Sequence, residues 1–252
     1  MKKIYSKKLV SIIMNCHNGS KFLSESIKSV LDQSYDNWEL IFFDNISTDK
    51  SLFIAKSFND QRIKIHISKK LLNLYEARNK ALQEIKGHYV CFLDTDDIWE
   101  KNKLEKQVNF LDDNPNYSMV YSNYYILNFK KQKNLRFESV LPHGKITKDL
   151  LKLYTIGILT TCIKSKIFKE FNFEDHYNII GDFDFFIKLS KFYEIGCIQE
   201  PLAAYRVHSN NYSKKNLKIY INELKEWLKK NSSIQKEMNL SLFYLRYYLF
   251  KL

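Results

Sequence analysis

The chain has 252 residues, 45% of them hydrophobic, and glycine (6) and proline (3) are scarce. That excludes a disordered chain and allows one substantial domain with an appendage. The 40 Lys and Arg against 28 Asp and Glu give a formal net charge of +12, which admits nucleic acid, an anionic membrane surface or a phosphorylated substrate as partner; the lysines are scattered rather than blocked, so most belong to a solvated surface and no nucleic-acid partner is expected.

In chain order, "LVSIIMNC" (Leu9 to Cys16) reads as a strand from its branched residues. Gly19 and Ser20 open a helix with Phe22, Leu23, Ile27, Val30 and Leu31 on one face. "WELIFFD" (Trp38 to Asp44) is a second strand, after which Ser47 or Thr48 can cap a helix with Asp49 in its first turn. "IKIHI" (Ile63 to Ile67) is a third strand, Asn73 to Ile85 a helix with Ala77, Ala81, Leu82 and Ile85 inward, and "HYVCFLD" (His88 to Asp94) a fourth strand. Four strands alternating with helices predict an α/β fold with a parallel sheet and right-handed crossovers.

Beyond a helix over Lys103 to Asp112, the alternation breaks. Ser118 to about Phe137 reads as longer antiparallel strands. A helix (Thr147 to Tyr154), a strand (Leu159 to Ile163) and a helix (Lys166 to Phe171) follow, then a helix over "GDFDFFIKLSKF" with Phe185, Phe186, Leu189 and Phe192 buried. From about Lys214 the chain becomes basic and aromatic. Its two helical stretches, with Ile219, Leu224, Trp227 and Leu228 on one face, are expected to pack on the main domain. The alternative for 214–252 is a peripheral contact with an anionic membrane or a homo-oligomer interface.

Ligands of such sheets bind at the carboxyl ends of the strands. Those ends carry Asn15, His17 and Asn18, then Asp44 and Asn45, then Asp94, Asp96 and Asp97. Three crowded carboxylates are costly to desolvate. Asp94-x-Asp96 would hold Mn²⁺ or Mg²⁺, which bind through one or two carboxylates plus substrate phosphates. A helix cap at Asp96 or Asp97, with a helix starting near Ile98, would explain one carboxylate of the three. Asp44 would accept from uracil N3–H or a ribose hydroxyl, unless it is an ordinary turn aspartate. Arg78 would reach a base or phosphates, or else pair with a surface glutamate.

The cysteines Cys16, Cys91, Cys162 and Cys197 lie far apart, with no C-x-x-C pair; this argues against a zinc or redox motif. Cys16 and Cys91 are expected to be buried thiols, which suits a reducing compartment. The start lacks a signal peptide's long apolar run and cleavage site, and no uncharged run approaches a membrane span. The expected location is cytoplasmic, with peripheral attachment to the cytoplasmic face of the inner membrane as a variant.

"VSIIMNCHN", "FDNISTD", "EARNKAL" and "FLDTDD" stand in the order and spacing of the family 2 inverting glycosyltransferases, of the bacterial surface-polysaccharide or lipooligosaccharide type. "GDFDFFIKLS" resembles the family's Glu-Asp-x-Asp segment, and "PLAAYRVHSNNYS" resembles its Tyr-Arg-x-His tail. The resemblance covers residues 8–213. It implies a GT-A fold: a Rossmann-like nucleotide-binding half (1–100), an acceptor and catalytic half (101–213), a mixed central sheet, and a C-terminal helical extension (214–252). It implies transfer of a sugar from a nucleoside-diphosphate sugar, a UDP-sugar by family analogy, to a glycan or glycolipid hydroxyl. Asp182 would be the catalytic base. Asn15, Asn18, Asp44, Arg78, Asp94 and Arg206 would bind the nucleotide sugar, and Asp96, His208 and Asp94 the metal. Two departures stand out. Gly181 replaces the glutamate before the base, and Asn45-Ile46 replaces the second aspartate and the glycine of the commoner Asp-Asp-Gly-Ser pattern. A catalytically weak nucleotide-sugar-binding scaffold of the same fold is the alternative. A nucleotidyltransferase would need a basic glycine-rich loop after the first strand, and a dehydrogenase a G-x-G-x-x-G.

Overall fold

The computed structural model describes residues 7–232. Its centre is a nine-stranded mixed sheet. Strands β1 (Val10–Cys16), β2 (Trp38–Asp44), β3 (Ile63–Ile67) and β4 (Tyr89–Phe92) run parallel in the order β3-β2-β1-β4. β2 is buried along its whole length, as a parallel strand covered by helices on both faces must be. Alternate residues serve opposite faces. Ile12 and Met14 pack with Leu23 and Ile27 of α1 (Ser20–Leu31) and Ala55 of α2 (Ser51–Ser57). Ile13 packs with Ala77, Ala81 and Leu82 of α3 (Leu74–Leu82).

β5 (Ile98–Trp99), α4 (Lys103–Asp113), β6 (Met119–Leu127), β7 (Lys133–Leu135) and α5 (Thr147–Lys152) follow in the chain. β8 (Cys162–Lys164), α6 (Gly181–Phe192) and β9 (Ile195–Arg206) complete the second half, and the sheet continues past β4 in the order β8-β6-β9-β5. β4 and β6 are both antiparallel to β8, while β6 and β9 run parallel, with the register slipping on either side of Asn123. The chain ends, within the described residues, in α7 (Tyr212–Lys215) and α8 (Leu217–Lys230). Among those residues no helix is long and apolar enough to cross a membrane.

All seven expected elements up to α3 and β4 are present, with ends moved by a few residues. Asn73 caps α3 from outside, its Oδ1 accepting from the Glu76 N–H at 2.8 Å. Neither Ser47 nor Thr48 caps α2, which begins at Ser51 with Lys50 at the N-cap position; Asp49, one residue earlier, accepts at Oδ1 from Ser51 N–H at 2.9 Å. No helix starts near Ile98. Ile98 and Trp99 form the edge strand β5, opposite Ala204 and Ala203. The strand expected at Leu159–Ile163 is a 3-10 turn (Ile158–Thr160) running into β8, and the helix expected at Lys166–Phe171 is a 3-10 turn (Ser165–Lys169). Phe192 is 69% exposed rather than buried, because it closes α6 where the helix leaves the core. The twelve-residue strand β9 has no counterpart among the expected elements. Cys16 and Cys91 are buried free thiols, as expected. Of the two expected C-terminal helices only α8 falls in the described residues, and Leu224 and Trp227 are its buried face.

Candidate active site

The site forms where β1, β2 and β4 end. Register pairs Asn15 with Phe43 and Cys16 with Asp44. Asn15 lines a cleft of about 550 Å³, and both of its buried amide atoms lack a partner. Asp44 is 2% exposed; its Oδ2 accepts from Ser47 N–H at 3.1 Å, and its buried Oδ1 has no partner. Buried polar atoms left unpaired are costly, so these are open positions for a ligand.

Asn18 is not free in this way. In the left-handed region (φ 54°), it accepts at Oδ1 from Thr48 N–H at 2.8 Å and Asp49 N–H at 3.3 Å, fixing the loop after β2. Asn45 ties that loop to the one before α3. Its Nδ2 donates to Leu72 C=O at 2.8 Å, and its Oδ1 accepts from Leu72 N–H at 3.0 Å. A carboxylate at 45 could accept but not donate, which accounts for asparagine here.

Arg78 is 2% exposed and projects from α3 to Asp94, Nη2 to Oδ1 at 2.8 Å, beside the rings of Tyr75 and Phe173. Burial works against its charge, but Asp94, Tyr75 and Asp182 more than offset this and hold its pKa above the usual value. The partner of Arg78 is therefore Asp94, not a surface glutamate.

Asp96 faces His208, Oδ2 to Nε2 at 2.8 Å. Asn210 N–H donates to His208 Nδ1 at 3.1 Å, which leaves the ring proton on Nε2 toward Asp96. Burial, then the nearby Asp94 charge, raises the Asp96 carboxyl. Asp97, 1% exposed, accepts from Arg206 N–H at 2.9 Å and is raised well above the usual range by burial and by Asp96 and Asp94. That bond fastens the end of β9, and with it His208, to the aspartate turn. The Arg206 guanidinium donates to Asp96 C=O at 2.8 Å and to Glu25 at 2.6 Å. Gly19 lets this turn lie close: a Cβ there would stand 2.5 Å from Thr95 Oγ1.

Among the described residues no three His, Cys, Asp or Glu side chains converge as a metal cluster. Asp96 and His208 meet, but Asp94 is committed to Arg78. Asp96 and His208 would suit a hard cation that takes further oxygen ligands from phosphate.

Asp182 stands in the first turn of α6, half-buried, its Oδ1 accepting from Phe183 N–H at 2.8 Å and facing Tyr75 Oη at 3.3 Å. Burial raises its pKa, and Arg78 moderates the shift. The carboxylate lies on the wall shared by two adjoining cavities. One is the cleft already described. The other, about 380 Å³, is lined by Tyr124, Tyr154, Tyr205 and Tyr220 and by Arg136. The loop before α6 is held by α8: Glu223 accepts from the N–H groups of Asn178 (2.6 Å), Ile179 (3.0 Å) and Ile180 (3.2 Å), and Trp227 Nε1 donates to Asp184 at 2.8 Å.

The profile of Glycosyl transferase family 2 matches residues 11–177. The chain belongs to that family. It is 39% identical over 174 residues to a UDP-Glc:alpha-D-GlcNAc-diphosphoundecaprenol beta-1,3-glucosyltransferase, WfgD, of Escherichia coli (67% of this chain and 67% of that protein). It is 35% identical over 161 residues to the putative teichuronic acid biosynthesis glycosyltransferase TuaG of Bacillus subtilis (62% of each). The fold is that of S. aureus TarS 1-349, solved with UDP-GlcNAc, at TM-score 0.67 and 16% identity, over 87% of this chain and 66% of that one. It is also that of the Pyrobaculum calidifontis mannosyltransferase PcManGT with GDP-Man and Mn2+, at TM-score 0.66 and 15% identity, over 91% of this chain and 65% of that one. The chain thus spans about two thirds of the length of these relatives. The architecture is GT-A, as the motifs implied.

The motifs did not point to Tyr75 or Glu223. Tyr75 lies three residues before Arg78 in one helix, so the i, i+3 rule puts both on one face. Glu223 carried no local signal, because its partners are 43 to 45 positions away.

Proposed function

We propose that this glycosyltransferase moves a sugar from a nucleoside-diphosphate sugar, a UDP-sugar, to a hydroxyl of a glycan or glycolipid acceptor in bacterial surface-polysaccharide synthesis, with inversion. The observation that carries it is Asp182 on the wall between two cavities. A donor in the cleft lined by Asn15, Arg78 and Asp94 and an acceptor among the tyrosines would meet there. Support for the donor comes from the unpartnered atoms of Asn15 and Asp44, which can meet the N3–H and carbonyl edge of uracil, and from relatives named for UDP-Glc or solved with UDP-GlcNAc. WfgD's named acceptor is a lipid-linked GlcNAc diphosphate. A similar acceptor suits a chain of net charge +12 working at an anionic surface.

Asp182 takes the acceptor hydroxyl proton as that oxygen bonds to the anomeric carbon and the bond from that carbon to the diphosphate breaks. Burial, by raising its pKa, makes it a stronger base once ionised. Arg78 fixes Asp94 against the donor. Asp96 and His208 would hold Mn²⁺ or Mg²⁺, which when bound neutralises charge on the departing diphosphate. Arg206 holds the turn carrying Asp96.

The test is UDP release from UDP-glucose and UDP-GlcNAc with Mn²⁺ and a synthetic GlcNAc-α-diphospho-lipid acceptor, beside thermal-shift screening of UDP-, GDP- and dTDP-sugars. Asp182→Asn should keep stabilisation by the donor and lose turnover by roughly 10²–10⁴-fold. If no nucleotide sugar stabilises the protein, the donor site is wrong. Donor binding without turnover in the wild type would favour the scaffold alternative.

A further inference from the structure

We infer that Tyr75 is the positioning residue of Asp182, and that Tyr75 and Gly181 form a matched pair in which the tyrosine ring takes the space that a side chain before the base would need. The inference rests on the base role proposed for Asp182.

A Cβ at position 181 would stand 2.6 Å from Tyr75 Cε2 and 2.7 Å from both Cδ2 and Cζ. Those atoms lie along the edge of a rigid ring, so they cannot give way as a flexible chain end would. Nor can the ring swing aside. Tyr75 is 1% exposed and stacks on Phe173 at 5.7 Å between centroids, and its hydroxyl donates to Ile179 C=O at 2.6 Å. The same hydroxyl faces Asp182 Oδ1 at 3.3 Å. Tyr75 therefore spans from the loop before α6 to the carboxylate.

The chemical consequence concerns charge. A glutamate at 181, as the family resemblance implies, would set a second carboxylate beside Asp182 and push its pKa up further. Here the neighbour is a neutral phenol, whose one hydroxyl proton favours the ionised base when it turns from Ile179 C=O to Asp182 Oδ1. Arg78, 5.5 Å from the Tyr75 ring, then balances Asp94 and Asp182 without a third carboxylate.

Tyr75→Phe keeps the ring and removes the hydroxyl. It should lower kcat about fivefold, the net worth of one hydrogen bond, and leave the donor KM unchanged. The acidic limb of kcat/KM should move to higher pH, because the ionised base loses a donor. Gly181→Ala and Gly181→Glu should each cost roughly tenfold or more in kcat, as a displaced reacting group does, with a lower Tm. Adding Tyr75→Ala to Gly181→Ala should destabilise less than the two single changes summed. Full activity in Gly181→Glu with Tyr75 present, or an unmoved acidic limb in Tyr75→Phe, overturns the inference. If the wild type turns over no nucleotide sugar, the functional reading has failed on its own. The melting-temperature cycle then decides the pair, and additive effects overturn it.

Discussion

The two halves of the sheet are built differently, and the two cavities inherit the difference. In the half from β1 to β4, each of β1, β2 and β3 is followed by its own crossover helix, and β2 lies between its sequence neighbours β1 and β3. The residues proposed for the donor sit directly on strand ends, as Asn15 and Asp44 do. In the other half, β9 pairs with β6 over a broken register, and β5 lies on the far edge although it follows β4 in the chain. There the site is placed by side chains reaching across the fold: Asp97 to the end of β9, Arg206 to Glu25, and Glu223 to the loop before α6. One half is positioned by local chain geometry and the other by remote ties. Variants should divide accordingly.

The largest effect should come from Asp182→Asn, on the wall that the two cavities share. Turnover should fall by roughly 10²–10⁴-fold with donor binding intact. Stability should move the other way. Burial raises the Asp182 pKa in the folded state, so the folded protein binds more protons than the unfolded chain, and stability falls as pH rises through the interval between the two values. At neutral pH the neutral amide removes that cost, and calorimetry should give a higher Tm for Asp182→Asn than for wild type. A lower Tm would show that the carboxylate stabilises the fold.

On the proposed donor side, Asp96→Ala should abolish stimulation by Mn²⁺ and lower turnover by on the order of 10²-fold or more, since a cation held there would contribute several kcal/mol at the leaving group. The UDP-sugar should still bind through Asn15 and Asp44. Unchanged Mn²⁺ activation would remove Asp96 from the metal site.

Glu223→Ala sharpens the contrast, for it lies on neither wall. It strips three backbone N–H groups of their acceptor. Hydrogen bonds to a charged group contribute about 1.5–3 kcal/mol, and about 2 kcal/mol corresponds to a Tm drop of roughly 4–8 °C for a chain of this size. Because the loop leads into Asp182, kcat should fall while donor affinity stays, and Glu223→Gln should recover part of both. Loss of donor affinity in step with kcat would mean that α8 supports the whole molecule rather than the acceptor side.

The same division explains what the sequence revealed. "VSIIMNC" and "WELIFFD" could be read because continuous apolar runs before polar residues specify buried parallel strands locally. "IGCIQEPLAAYR" could not, since Gly196 and Pro201 interrupt its pattern and its partners are far away; only its closing motif, with Arg206 and His208, was visible. Asp94, Asp96 and Asp97 were legible as a cluster, but their separate partners, Arg78, His208 and the Arg206 N–H, are set by the fold. Burial of Trp227 likewise depends on Phe183 and Asp184, which the helix periodicity of α8 cannot name.

The smallest effect belongs to Ile46, in the loop that Asn18 and Asn45 hold. Its φ is 55°, in the left-handed region, where a β-branched residue is strained. The resemblance to the family puts glycine at this position. Such strain costs on the order of 1–3 kcal/mol, while glycine gives back roughly 0.5–1 kcal/mol through the freedom of the unfolded chain. Ile46→Gly should therefore gain about 1 kcal/mol, a rise in Tm of roughly 2–4 °C. Ile46 is also 37% exposed, so little packing is lost with its side chain. Donor affinity should hold, because Asn18 and Asn45 keep the loop fixed through their own hydrogen bonds. A gain in Tm with weaker UDP-sugar binding would instead mean that the isoleucine shapes the donor cleft and that its strain is retained for binding.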